Sequence, residues 1–199
     1  MPAITNHFGQ HSLKKWQKKR KLVYICDGDE QVTDHKKNKL GTQAKYYQLI
    51  ESKVQKALSQ LSIDDDFYSI INNSEYVLNS IDIDTTWKSF PELIAKSSSN
   101  KELSQLAFFG NKIETKFGSE CEVQYIARDE VEKIDSLLRT LKIDNKDDFI
   151  SAFNNSQEAP YDEIINADMF SHLWNHFKSF REFITKCKDS NSSILVLIS

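Results

Sequence analysis

The chain has 199 residues, 39% of them hydrophobic and 28% charged, with five Gly and three Pro, as expected of one soluble domain with at most a small appendage. Its net charge of −3 hides an asymmetry: residues 1–61 carry twelve Lys and Arg against five Asp and Glu, whereas residues 62–199 carry fourteen against twenty-four, so the two parts present opposite fields. A domain of this size buries roughly 70% of its unfolded surface, and twelve Phe, seven Tyr and three Trp supply a core without disulfides or metal.

The opening MPAITNHFGQHSLKKW holds no apolar run of the ~7–15 residues that a secretory signal requires, and no window approaches the ~18 apolar residues of a membrane span. A cytoplasmic protein without membrane association is expected. Cys26, Cys121 and Cys187 are odd in number and lack CxxC spacing, which weighs against a disulfide framework or zinc knuckle and predicts buried thiols. In SLKKWQKKRKLVYICDGDE, residues 12–30, Ser12 is placed to cap a short helix whose Lys14, Lys15, Lys18, Lys19, Arg20 and Lys21 surround Trp16. LVYIC then reads as a buried strand that turns at DGD. Clustered cations beside an aromatic can grip phosphates, yet no recognition fold or aromatic ladder accompanies them, and a solvated cationic face is expected. The glycine and final Glu of DGDE are misplaced for a calcium loop. QVTDHKKNKLG, residues 31–41, is polar and unperiodic, so residues 1–41 form either a basic N-terminal extension or a strand-containing part of the core.

TQAKYYQLIESKVQKALSQL, residues 42–61, spaces its apolar residues by three and four and predicts one helix. SIDDDFYSII predicts a second, started by Ser62 and the acids Asp64 to Asp66. In SIDIDTTWKSFPELIA, residues 80–95, Ile81 and Ile83 alternate with Asp82 and Asp84, after which Trp87, Phe90, Leu93 and Ile94 recur at helical spacing. Asp84 therefore sits where a helix N-cap belongs, Asp82 faces water, and Pro91 confines or kinks the first turns.

Four blocks in order resemble the YfbM-like bacterial proteins, a family with a domain of unknown function. LNSIDIDTTWKSFPELIA resembles the family's Leu-Asp-Leu-Asp-Lys-Ala-Trp segment, with Thr85 and Thr86 in place of Lys-Ala. LAFFGNKI is similar to its Gly-containing segment, and EVQYIARDEVEKIDSLLRTL to its strand-to-helix step, with Ala127 and Arg128 replacing Ser-Pro. FSHLWNHFKSFREFITKCKDSNSSILVLIS is similar to its closing helix and terminal strand. The resemblance covers residues 78–199 and implies a helix-rich α+β domain with a small mixed or antiparallel sheet. It implies no reaction. The residues agree: ECEVQYI alternates as a strand, Val131, Ile134, Leu137, Leu138 and Leu141 share a helix face, and SSILVLIS is an apolar, strand-forming run.

His172 and His176 lie four apart on the helix FSHLWNHFKSFREF, where a zinc ion could bridge two imidazoles. Leu173 stands where a metalloprotease places Glu, so surface histidines, no metal and no cofactor are expected. No GxSxG elbow or phosphate-cradling glycine loop is present, and no catalytic residue is assigned. The acidic excess of residues 62–199 instead suits docking to a basic protein, with Asp129, Glu130, Glu132, Tyr161, Asp162, Glu163 and Asp168 as candidate contacts. By analogy with small acidic bacterial proteins, the leading expectation is an immunity protein that occludes the active site of a cognate toxin. The second is an enzyme or small-ligand binder with a pocket formed by Asp82, Asp84, Trp87, Tyr125 and His172. Nucleic-acid binding through residues 14–21 is the third.

Overall fold

The computed structural model describes residues 43–63, 67–84, 88–113, 122–156 and 167–199. All of them belong to the compact unit Lys39–Ser199. The cationic segment 12–30, the acids Asp64 to Asp66, Trp87, Tyr161, Asp162 and Glu163 lie outside the described residues.

Five strands, β1 (Ala44–Leu49), β2 (Val77–Ile83), β3 (Asn111–Lys112), β4 (Glu122–Ile126) and β5 (Ile194–Ile198), form one sheet in the order β2-β1-β5-β4-β3. Every neighbouring pair is antiparallel. The helices of the described residues are α1 (Val54–Ile63), α2 (Phe67–Ile71), α3 (Phe90–Ser98), α4 (Lys101–Phe109), α5 (Arg128–Thr140), α6 (Lys146–Ser156) and α7 (Ala167–Asp189). The chain is a helix-rich α+β domain with an antiparallel sheet. None of the described helices is long and apolar enough to cross a membrane.

The helix predicted over residues 42–61 is corrected by the structure. Ala44–Leu49 is a strand, Glu51–Lys53 a 3-10 turn, and only Val54–Ile63 an α-helix. The cause is burial on both faces: Tyr46 enters the core on one side of the sheet, Tyr47 and Leu49 the core on the other. A strand buried on both sides is apolar at consecutive positions, and its spacings then imitate those of a helix. Position in the sheet enforces this, because β1 runs between β2 and β5.

The sheet separates two cores. Ala44, Tyr46, Ile83, Ile126, Ile194 and Val196 face a large cluster supplied by α3 to α7, whereas Tyr47, Leu49, Val123, Leu195 and Leu197 face a smaller one under α1 and α2. Phenylalanines fill the larger core. Phe108 and Phe180 stack with centroids 4.5 Å apart, and Phe90 meets Phe177 edge-on at 5.6 Å. Each such side chain contributes on the order of 1.5–3 kcal/mol by leaving water. The hydroxyl of Tyr46, fully buried among them, donates to the Phe108 carbonyl at 3.1 Å, which removes the cost of stranding a polar atom there.

Local chemistry sets the element ends. The Asn100 side chain caps α4 by accepting from the Leu103 N–H. At the other end of α4, Gly110 has φ +60° and ψ −163°, a conformation open essentially to glycine alone. A Cβ on Gly110 would also lie 2.9 Å from the Tyr125 carbonyl oxygen, so a bare backbone lets β3 turn onto β4. Helix α5 starts at Ala127, which has no side-chain acceptor; Glu130 reaches back to accept the Ala127 N–H at 2.8 Å.

Candidate metal and ligand site

Helix α7 is fixed by one buried stripe, Leu173, Phe177, Phe180, Phe183, Ile184 and Cys187. With about 100° of rotation per residue, the positions just before Leu173 and Phe177 fall together on the flank of that stripe. His172 and His176 occupy them, with ring centroids 4.4 Å apart. Strand β2 ends at Ile83, which is fully buried and pairs with Ala44 of β1. The next residue, Asp84, leaves the sheet beside α7.

The three side chains converge. His172 Nε2 donates to Asp84 Oδ2 at 2.6 Å, and His176 Nε2 lies 3.7 Å from the same oxygen. One ligand atom from each residue falls within 4.8 Å of the others. An ionised carboxylate only accepts, so the Nε2 proton belongs to His172 in this contact. Burial pushes the His176 pKa down; the Asp84 carboxylate opposes this, His172 adds to it, Asp82 opposes it in turn, and the result lies below the ordinary histidine value. The shift favours the neutral imidazole, the form that accepts protons and binds metals. The side chain of His172 is 51% exposed, that of Asp84 36% and that of His176 22%, which leaves one side of the cluster open to solvent.

Several expectations change here. The cap position expected for Asp84 borders residues 85–87, which lie outside the described residues; Lys88 and Ser89 already form a 3-10 turn leading into α3, Pro91 lies in the first turn of α3, where proline is tolerated, and the Asp84 carboxylate meets α7. Of the two carboxylates only Asp84 touches the histidines, although the charges of both act on His176. Asp82 lies within β2 and pairs with Lys45 at 3.2 Å, exposed to water as expected. Tyr125 does not join the pocket either, because it packs with the smaller core and its hydroxyl donates to Ser193 Oγ at 2.9 Å. Of the expected pocket, Asp84 and His172 are thus brought together, and His176 is the member that the pocket reading omitted. Its signal was the four-residue spacing to His172.

Among the docking candidates, Asp129, Glu130 and Glu132 lie in the first turns of α5, and Asp168 in the first turn of α7. Asp129 pairs with Lys133 at 2.9 Å. Glu130 accepts from both the Ala127 N–H and the Asn111 amide and so ties α5 to β3. A groove of about 470 Å³ lined by Asp129, Glu132, Leu103 and Leu137 runs beside them. A second, also of about 470 Å³, follows α7 past Trp174, Lys178, Arg181 and Glu182. Neither includes Asp84.

Among curated proteins, none matches the chain. The crystal structure of YfbM from Escherichia coli, titled a protein of unknown function, superposes with a TM-score of 0.52 at 14% identity over 79% of this chain and 99% of that one, which is a likeness of fold. The resemblance read over residues 78–199 extends further toward the N-terminus, because the profile of the family described as Domain of unknown function (DUF1877) matches residues 40–197, and the chain belongs to that family.

Proposed function

We propose that the domain binds a small polar ligand at the Asp84–His172–His176 cluster and exchanges a proton with it. The observation that supports this reading is the 2.6 Å contact between His172 and Asp84, made by residues 88 apart in the chain and seated on a strand end and a rigid helix. A carboxylate that orients an imidazole is the base-and-orienter pair of general acid–base catalysis. The exposed side of the cluster is where a ligand would enter. The test is a thermal-shift screen of polar metabolites against the chelator-treated protein, repeated with Asp84→Asn, His172→Gln and Asp129→Asn. A ligand present at 100 times its Kd adds about 2.7 kcal/mol. The reading requires hits that disappear in the first two variants and persist in the third. Hits indifferent to Asp84→Asn refute it.

A second reading, a protein-binding inhibitor of the immunity type directed at a basic toxin, is supported by the ten-charge acidic excess of residues 62–199 and by the acids Asp129 and Glu132 beside an apolar-floored groove. Electrostatic complementarity of this kind acts mainly on encounter rate. Asp129→Lys with Glu132→Lys should slow capture of a purified basic partner and lower the salt dependence of that rate. Unchanged association would exclude this face as the docking surface.

A further inference from the structure

We infer that Asp84, His172 and His176 form a site for a divalent first-row transition ion of the zinc class, held by three protein ligands with its remaining coordination facing solvent. The inference rests on the proposed ligand site and names what that site holds.

The ligand set is the first argument. Two imidazoles and one carboxylate suit zinc and its first-row neighbours, whereas calcium and magnesium require oxygen ligands. The distances are the second. Bonds of about 2.0–2.1 Å in a tetrahedron place ligand atoms roughly 3.3–3.4 Å apart. Asp84 Oδ2 lies 2.6 Å from His172 Nε2 and 3.7 Å from His176 Nε2, and all three ligand atoms fall within 4.8 Å of one another, so the first contact opens by about 0.7–0.8 Å, the second closes by about 0.3–0.4 Å, and small side-chain rotations bring the two imidazoles to tetrahedral spacing. The 2.6 Å contact is a hydrogen bond occupying the space of an ion. On metal binding its Nε2 proton gives way to the ion and moves to Nδ1 or to solvent, leaving the Nε2 lone pair as ligand.

The supports of the ligands are the third argument. Leu173 and Phe177, next to the two histidines, are buried in the main core, and Ile83 anchors the strand before Asp84. Three ligands held this way, with one side exposed, match an open site that keeps a water or substrate position; a structural zinc site is closed by four protein ligands.

The test is calorimetric titration of the full, tag-free, chelator-treated chain with zinc chloride, repeated in excess magnesium. One zinc per chain is expected, undisturbed by magnesium, and each of Asp84→Asn, His172→Gln and His176→Gln should weaken binding by at least about tenfold. Asp129→Asn, on α5 and paired with Lys133, should leave it unchanged. Circular dichroism of the metal-free variants verifies that each is folded. Cobalt(II) gives a second readout, because tetrahedral coordination produces visible absorption that Asp84→Asn should abolish. Absence of zinc binding overturns the inference. So does zinc affinity equal in wild type and Asp84→Asn, which would mean that the helix histidines act alone. Since the screen for polar ligands is run without metal, its hits can survive a negative zinc titration, and the two readings fail separately.

Discussion

Replacing Asp84 by Asn separates a carboxylate that holds the fold together from one that serves a site. The side chains of Asp84 and His172 are 36% and 51% exposed, and ion pairs exposed to this degree contribute only about 0.2–1 kcal/mol because water and salt screen them. The core beneath is independent of this contact: Phe177, Phe180 and Phe183 are each buried to within 1% and bury their rings against Phe90, Phe108 and Tyr46. Asp84→Asn should therefore cost no more than about 1 kcal/mol, which for a chain of 150–250 residues is a fall of roughly 2–4 °C in Tm. Urea unfolding followed by circular dichroism at neutral pH measures it, with an unchanged slope as the sign that only stability moved. A loss beyond about 2 kcal/mol would refute the reasoning and make Asp84 a structural clasp between β2 and α7.

Gly110→Ala should destabilise the domain by at least about 1–3 kcal/mol, the cost of a side chain in a conformation essentially reserved for glycine, because the new Cβ also meets the Tyr125 carbonyl at 2.9 Å; the same urea titration reads it. Asp135 governs an acid-sensitive component of stability. Burial raises its pKa, but hydrogen bonds from Arg139 and Thr185 and the Arg139 charge outweigh burial and hold it below the usual carboxylate range. A pKa lowered by folding gives stability that is complete above the unfolded value, about 3.9, and lost as pH falls through the folded one. The stability difference between wild type and Asp135→Asn should accordingly be constant near neutrality and shrink below about pH 4, as measured by unfolding across pH. Cys187 is buried, and burial pushes its thiol up to about 12. It should resist alkylation in the native protein and react on unfolding, which mass spectrometry with iodoacetamide detects.

Elements with a single buried face, and the short unbroken apolar run of a strand buried on both, were legible from their residues. Val131, Ile134, Leu137 and Leu138 mark α5, and the buried run at the end of the chain is β5. Strand β1 was not, since Tyr46 and Tyr47 enter different cores and erase the alternation that identifies a strand. Helix α6 also escaped, because its only large buried side chains are Phe149 and Phe153, too few to establish a period. Its start signal was present in Asn145, whose side chain accepts from the N–H groups of Asp147 and Asp148. The site was half legible. Spacing along one helix brings His172 to His176, and both Asp84 and His172 stood among the pocket candidates. That Asp84 reaches α7, and that Tyr125 is held on the other side of the sheet, follows from the antiparallel course of β2 and β4, which no local pattern encodes.

The strand order also dictates when the domain can be completed. Ile194 of β5 pairs with Gln48 of β1 and with Ile126 of β4, so the middle of the sheet is supplied by the most C-terminal strand. On the ribosome, β1 and β2 can pair early, but the other edge of β1, from Ala44 to Gln48, keeps its backbone groups without their strand partner until nearly 150 further residues have been made. Closing so long a loop costs entropy before its contacts repay it, which makes such topologies slow to fold. A chain released before residue 194 would carry that open edge permanently, and exposed edges of this kind recruit other strands. Nascent or truncated forms of the protein should therefore depend on chaperones far more than the finished fold does.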